Sequence, residues 1–203
     1  MSGWRGCLNL PPNTLPVKLI AAAAPVLEKW CPAWFLFGAQ AVVIWGHPRQ
    51  TADVDITVQL RPEDAVAFWR DMEAAGFRLR VSEPETFLSR TRVIPFLHVD
   101  TGIPLDIVLA GPGLESLFFD RAVLVNAGGL EIPVASAEDI IIMKVLAGRP
   151  KDAADTHTIL LQRMQTLDFT HIRATLAMLE EALGQSDLLR AFEADLRRAR
   201  NRP

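Results

Sequence analysis

The sequence predicts an α/β fold followed by a wholly helical region, and three observations carry that expectation. Between residues 16 and 134, short apolar runs bounded by Gly, Pro, Asn or Asp alternate with stretches of helical period. After Val134 the texture changes, and from Ser136 onward only helical patterns follow. Half of the 203 residues are hydrophobic, which is enough to build a real core and argues against wholesale disorder. The expected organisation is an α/β part over 16–134 and a helical region over 135–203.

Residues 1–15 read as a loose arm, because Pro11, Pro12 and Pro16 block regular structure. Val17 to Lys29 is alanine-rich and reads as a helix that Pro25 kinks or ends. Trp34 to Phe37 is a short apolar run closing at Gly38, a buried strand. Ala39 to Trp45 suits a helix packed on it, and the turn at Gly46-Pro48 ends that helix. Asp53 to Gln59 is the next strand. Pro62 to Gly76 has Ala65, Phe68, Trp69 and Met72 at helical spacing, with Gly76 as the cap. Phe77 to Val81 reads as a strand, and 82–90 as a polar connection. Val93–Val99 and Ile103–Leu109 form a hairpin around Asp100-Thr101-Gly102, with the chain broken again at Gly111 to Gly113. A second hairpin joins Ala122–Asn126 to Leu130–Val134 around Gly128-Gly129. Ser136-Ala137-Glu138-Asp139 starts a helix in capping-box fashion, and helices are expected over 137–147, 151–165, 169–183 and 186–200.

The net charge of −3 argues against a broad nucleic-acid footprint, though not against a local basic patch, and the basic end Arg197-Arg198-Ala199-Arg200 suits a solvated helix C-terminus. Cys7 and Cys31 have no metal or redox spacing and read as free thiols of a reducing cytoplasm. The start MSGWRGCLNLPPN lacks the apolar stretch of a signal peptide. The most hydrophobic region, Leu19 to Gly46, is interrupted by Pro25, Glu28-Lys29 and Pro32, so no membrane span is expected.

The chemistry centres on acids. Asp53 and Asp55 are one residue apart at the start of a strand, so they share a face while Val54 and Ile56 face a core. Two such charges about 4 Å apart repel by roughly 4 kcal/mol at an effective dielectric near 20. A hard cation offsets that repulsion, and Mg²⁺ commonly takes one or two protein carboxylates plus substrate phosphates. Asp106 lies inside the apolar run Ile103 to Leu109, where an unpaired carboxylate is costly. It needs either a basic partner or a place in a metal site. If its strand lies beside the Asp53–Asp55 strand, three carboxylates converge in a way that suits metal-assisted phosphoryl transfer. Asp100, at a hairpin turn, is commonplace by comparison. Gly38, where a strand gives way to a helix, lets backbone N–H groups approach an anion.

Phe37-Gly38-Ala39, then thirteen residues, then Asp53-Val54-Asp55-Ile56, with Asp106 on a later strand, resembles the signature of the nucleotidyltransferase superfamily, the minimal polymerase-beta-like fold. The run Arg49-Gln50-Thr51-Ala52-Asp53-Val54-Asp55 is similar to that of the bacterial abortive-infection and toxin-type branch. Ala137-Glu138-Asp139 through Met143-Lys144, with Ala147 to Asp152 and Asp155, resembles the later helical motif of the same branch. The resemblance implies a mixed sheet with helices packed on it and a C-terminal helical segment. It implies Mg²⁺ or Mn²⁺ held by Asp53 and Asp55. Asp106 would complete the metal site and help deprotonate the acceptor. Gly38 and Ala39 would cradle the triphosphate, with Arg49, Thr51 and Lys151 as further nucleotide contacts, and Lys144 would neutralise phosphate charge.

Two functional expectations follow. One is an enzyme that moves a nucleoside monophosphate from an NTP to a hydroxyl of an RNA 3′ end (a tRNA among them), a protein or a small molecule, releasing pyrophosphate. It would act alone or with a cognate partner in a toxin–antitoxin or phage-defence pair. The other is an inactive member acting as an antitoxin or interaction module. Ala39 motivates the second, because it stands where the signature has Gly or Ser. Alanine keeps the N–H but loses both the hydroxyl and the closest backbone approach.

Overall fold

The computed structural model describes residues 11, 13–47, 51, 53–111 and 113–201. Arg49 and Cys7, singled out above, lie outside them. The chain divides into two compact units. Described residues up to 40 and from 51 to 135 make the first, and 41–47 with 136–201 make the second. Among the described residues no helix is long and apolar enough to cross a membrane.

The first unit opens with α1 (Leu15–Trp30), which runs through Pro25 rather than ending there. Strand β1 (Trp34–Phe37) leads directly into α2 (Gly38–Trp45), whose later residues belong to the second unit. β2 (Val54–Val58) follows, then a single 3₁₀ turn (Pro62–Asp64), α3 (Ala65–Ala74) and β3 (Phe77–Leu79). A helix, α4 (Pro84–Thr91), occupies the stretch read as a polar connection. None of its residues is fully buried, and its apolar stripe is limited to Pro84, Phe87 and Leu88, too short to stand out in a polar stretch. β4 (Val93–His98) and β5 (Pro104–Leu109) form the expected hairpin. A further short helix, α5 (Leu114–Phe119), was not expected; six residues are too few to show a period. β6 (Val123–Ala127) and β7 (Leu130–Val134) form the second hairpin.

The seven strands make one mixed sheet in the order β3-β4-β5-β2-β1-β7-β6. β2 runs parallel to β5 and β1 parallel to β7, while the other neighbours are antiparallel. Register gives each face its character. Val54, Ile56 and Val58 of β2 stand beside Leu105, Ile107 and Leu109 of β5, and all six are buried. Ile94 and Phe96 of β4 extend that face, and Phe68 of α3 meets Phe96 edge-on at 6.4 Å. Helix α1 is tied to α3 by Lys29 and Trp30, which both donate to Asp71. The opposite face carries Asp55 and Asp106. Farther along it Phe35 is buried, with the Phe119 ring of α5 4.9 Å away. Cys31 is a free thiol, and burial pushes its pKa up to about 12.

The second unit is helical. α6 (Ala137–Ala147), α7 (Pro150–Arg163), α8 (Phe169–Leu183) and α9 (Leu188–Arg200) pack on one another. Ser136 Oγ accepts from the N–H of Asp139, the cap expected at that point. Arg163 of α7 satisfies the end of α2, its Nε donating to Trp45 O at 3.1 Å and its guanidinium lying over the Trp45 ring.

Candidate active site

The acids meet in the first unit because of strand order. Asp55 is the second residue of β2 and Asp106 the third of β5, and the parallel register sets them side by side. Both are half-buried, whereas Val54, Ile56, Leu105 and Ile107 are fully buried on the other face. Of the two fates open to Asp106, a basic partner or a place in a metal site, the structure shows the basic partner. Arg80, just past β3, donates from Nη2 to Asp106 Oδ1.

Gly38 explains the space around Asp55. Phe37 pairs with Asp55, so the turn from β1 into α2 passes directly over that carboxylate. A Cβ built at Gly38 would sit 2.0 Å from Asp55 Oδ2, and the backbone there has φ +65°, a conformation only glycine adopts without strain. The residue is therefore fixed twice, by turn geometry and by close approach. Ala39 follows, half-buried in the first turn of α2.

Asp53 is held from its own side of the site. Thr51 Oγ1 lies 3.1 Å from Asp53 Oδ1 and 3.2 Å from Asp53 O, donating to the carboxylate region, and Gln40 Nε2 donates to Asp53 O at 3.3 Å. Thr51 thus steadies an acid in this geometry. Gln40, two residues past Gly38, was not singled out from sequence and has no spacing signature of its own. Arg80 was also missed. The sole hint was that an acid inside an apolar strand wants a cation; which cation depends on β3, β4 and β5 being neighbours.

Lys144 and Lys151 belong to the second unit. Lys144 is buried, and its ammonium is bonded to Asp152 Oδ1 at 3.0 Å and Asp155 Oδ2 at 2.8 Å. The side chains of Lys144, Asp152 and Asp155 are 9%, 0% and 7% exposed. Arg149 adds a two-point contact to Asp152 at 2.6 and 3.1 Å. Burial works against ionisation of Asp152, but the hydrogen bonds from Arg149 and Lys144 outweigh it and hold the carboxyl below the usual range. Lys144 and Arg149 thus meet Asp152 and Asp155 in one cluster. The ammonium expected to meet phosphate is already committed to two carboxylates. Lys151 is exposed on the first turn of α7.

The donor chemistry of Asp53 and Asp55, two carboxylates separated by one residue at the start of β2, suits a hard divalent cation, and the absence of a side chain at Gly38 leaves room at Asp55. Among the described residues no three His, Cys, Asp or Glu side chains are gathered into a metal-ligand group. Asp106 stands next in the row, with Arg80 on its carboxylate. A separate cleft of about 650 Å³ opens in the same unit, lined in part by Trp30, Gln59, Leu60 and Gly111. It lies past the far ends of β2 and β5, none of the three acids lines it, and its cations Lys29 and Arg61 are paired with Asp71 and Asp64.

Comparison with known proteins gives a family and a fold. The model of a family described as nucleotidyltransferase of unknown function (DUF6036) matches residues 22–200. No curated protein matches the chain. Among solved structures, an antigenic nucleotidyltransferase-like protein from Paracoccidioides brasiliensis aligns with TM-score 0.55 at 16% identity, covering 91% of this chain and 94% of that one. The solution structure of the antibiotic-resistance factor ANT(2″)-Ia aligns at 0.54 and 16%, covering 84% and 93%. The crystal structure of ANT(2″)-Ia in complex with adenylyl-2″-tobramycin aligns at 0.52 and 16%, covering 80% and 97%.

Proposed function

Given that the chain belongs to the nucleotidyltransferase family whose model matches residues 22–200, we propose that it moves a nucleoside monophosphate from an NTP to a hydroxyl acceptor, using Asp53, Asp55 and Asp106. The observation that carries this reading is the pairing of Asp55 with Asp106 under the bare backbone of Gly38. A sheet face that needed only to be soluble has no reason to clear a side chain from above one carboxylate.

Each residue has a task in this reading. Asp53 and Asp55 hold Mg²⁺ or Mn²⁺, with Thr51 fixing the first and Gly38 leaving space for the second. The bound cation supplies charge neutralisation for the polyphosphate. Backbone N–H groups at Gly38 and Ala39, at the positive end of α2, donate to phosphate oxygens. The acceptor oxygen attacks the α-phosphorus, the bond to pyrophosphate breaks, and Asp106 takes the hydroxyl proton. Lys144 is read as the charge that closes the Asp152–Asp155 cluster rather than as a phosphate ligand, because its bonds are already made inside the helical unit. One fold relative is seen with an adenylyl group on an acceptor hydroxyl, and that supports a hydroxyl as the acceptor class here.

The test is pyrophosphate release and transfer of α-³²P label from each of the four NTPs, with RNA, the protein itself and hydroxyl-bearing small molecules as acceptors. Transfer that requires Mg²⁺ or Mn²⁺ and disappears in Asp55→Ala is the expected result. Equal transfer by Asp55→Ala would place the chemistry elsewhere.

A further inference from the structure

The partner of the third carboxylate carries an inference that rests on the nucleotidyl-transfer reading. Leu79 pairs with Phe96, so Arg80, one residue on, falls opposite Pro95, and its N–H donates to Pro95 O at 2.9 Å. Pro95 pairs with Asp106, and Asp106 with Asp55. Arg80, Pro95, Asp106 and Asp55 therefore form one row across four strands, on one face of the sheet. Neighbouring strands are about 4.8 Å apart, so the guanidinium reaches across a whole strand to meet Asp106. The residue it crosses is a proline, whose compact ring leaves that path low.

The pair is open to solvent, with 36% of the Arg80 side chain and 32% of the Asp106 side chain exposed. A long side chain ordered across a strand in that setting contributes little net stability. What the contact does is occupy an Asp106 oxygen and remove one negative charge from the group that includes Asp53 and Asp55. An exposed pair of this kind also exchanges readily with an incoming ion.

We propose that Arg80 is a positioning residue that competes with the divalent cation for Asp106. It holds the third carboxylate while the site lacks nucleotide and yields it when the cation arrives with polyphosphate. The complete set of carboxylates then forms only on the loaded site, and the bare site does not collect metal from solution.

The experiment is an electron paramagnetic resonance titration of the full chain with Mn²⁺ alone, on wild type, Arg80→Gln, Arg80→Lys, Asp106→Asn and the Arg80→Gln/Asp106→Asn double variant. Arg80→Gln should bind Mn²⁺ up to about fivefold more tightly, the gain set by the worth of a solvent-exposed ion pair. Arg80→Lys should stay closer to wild type. Asp106→Asn should abolish the gain, so that the double variant matches the single. Unchanged or weaker binding by Arg80→Gln overturns the inference, as does a gain that persists without Asp106, or no binding by either protein at millimolar Mn²⁺. A parallel thermal shift with each Mn²⁺–NTP judges the underlying reading separately. A shift lost in Asp55→Asn keeps nucleotidyl transfer even where Arg80→Gln fails. An Arg80→Gln gain without any nucleotide shift keeps the competition and overturns the nucleotide reading.

Discussion

Two groups of charge, one in each unit, use the same chemistry to opposite ends. Around β2 and β5, Asp53, Asp55 and Asp106 are half-buried, and Asp106 has one solvent-reachable partner in Arg80. In the helical unit, Lys144, Asp152 and Asp155 are buried, and Arg149 pairs with Asp152. The acids of the first group are half-buried and reachable by ions from solution. The side chains of Lys144, Asp152 and Asp155 in the second are enclosed. On the proposed reading, burial rather than residue type would separate charge kept for a ligand from charge kept for architecture. A buried ion pair is costly to break because the remaining charge has nowhere to go, whereas an exposed pair is easily exchanged.

Substitutions in the two groups should therefore affect different properties. Lys144→Met should have the largest effect on stability, lowering it by about 3–5 kcal/mol in urea unfolding, because Asp155 loses its ammonium inside the helical unit. A cost below about 1 kcal/mol would break the contrast and return Lys144 to the list of phosphate ligands. Gly38→Ala should come next, destabilising by about 1–2 kcal/mol through its left-handed backbone, with transfer activity lost as the Cβ displaces the Asp55 carboxylate. Paired unfolding and pyrophosphate assays would check both halves. Wild-type activity in that variant would contradict the close approach.

Acid should sharpen the same contrast at smaller amplitude. The folded-state pKa of Asp152 lies below its unfolded value, so its contribution is complete above about pH 4, the ordinary aspartate range, and is lost as pH falls through the folded value. Asp195 works in the other direction, because burial raises its carboxyl and protonation relieves that cost. Urea midpoints measured from pH 7 to pH 3 should fall at the acid end, and fall less steeply in Lys144→Met. The smallest effect is expected for Arg80→Gln, no more than about 1 kcal/mol of stability, since its pair with Asp106 is solvent-exposed. A loss as large as that of Lys144→Met would mean that the two groups are alike.

The parts of this account that were legible in the sequence are those with local signals. An apolar run marks β5 and leaves Asp106 conspicuous within it. The spacing of Gly38, Asp53 and Asp55 marks the strand–turn–helix that approaches the acids. Ser136 announces α6. Arg80 was not legible, because it is 26 residues from Asp106 and meets it only through the β3-β4-β5 strand order. The environment of Lys144 was hidden for a related reason. Ile140, Ile141, Ile142 and Val145 are buried around the helix, so a residue that looks like the polar edge of an apolar stripe is in fact enclosed. The helices α4 and α5 are eight and six residues long, so the few apolar residues each carries are too short a run to establish a period.

The central claim, that Asp53 and Asp55 hold a cation brought with a nucleoside triphosphate, is tested most directly by thermal unfolding with each NTP, with and without Mg²⁺ or Mn²⁺, on wild type and Asp55→Asn. Ligand at about a hundred times its dissociation constant should add about 2.7 kcal/mol to the stability of the wild type. The account predicts that at least one NTP does so only when the metal is present, and that Asp55→Asn loses the effect. An equal shift in Asp55→Asn, or no shift with any of the four nucleotides, would contradict it.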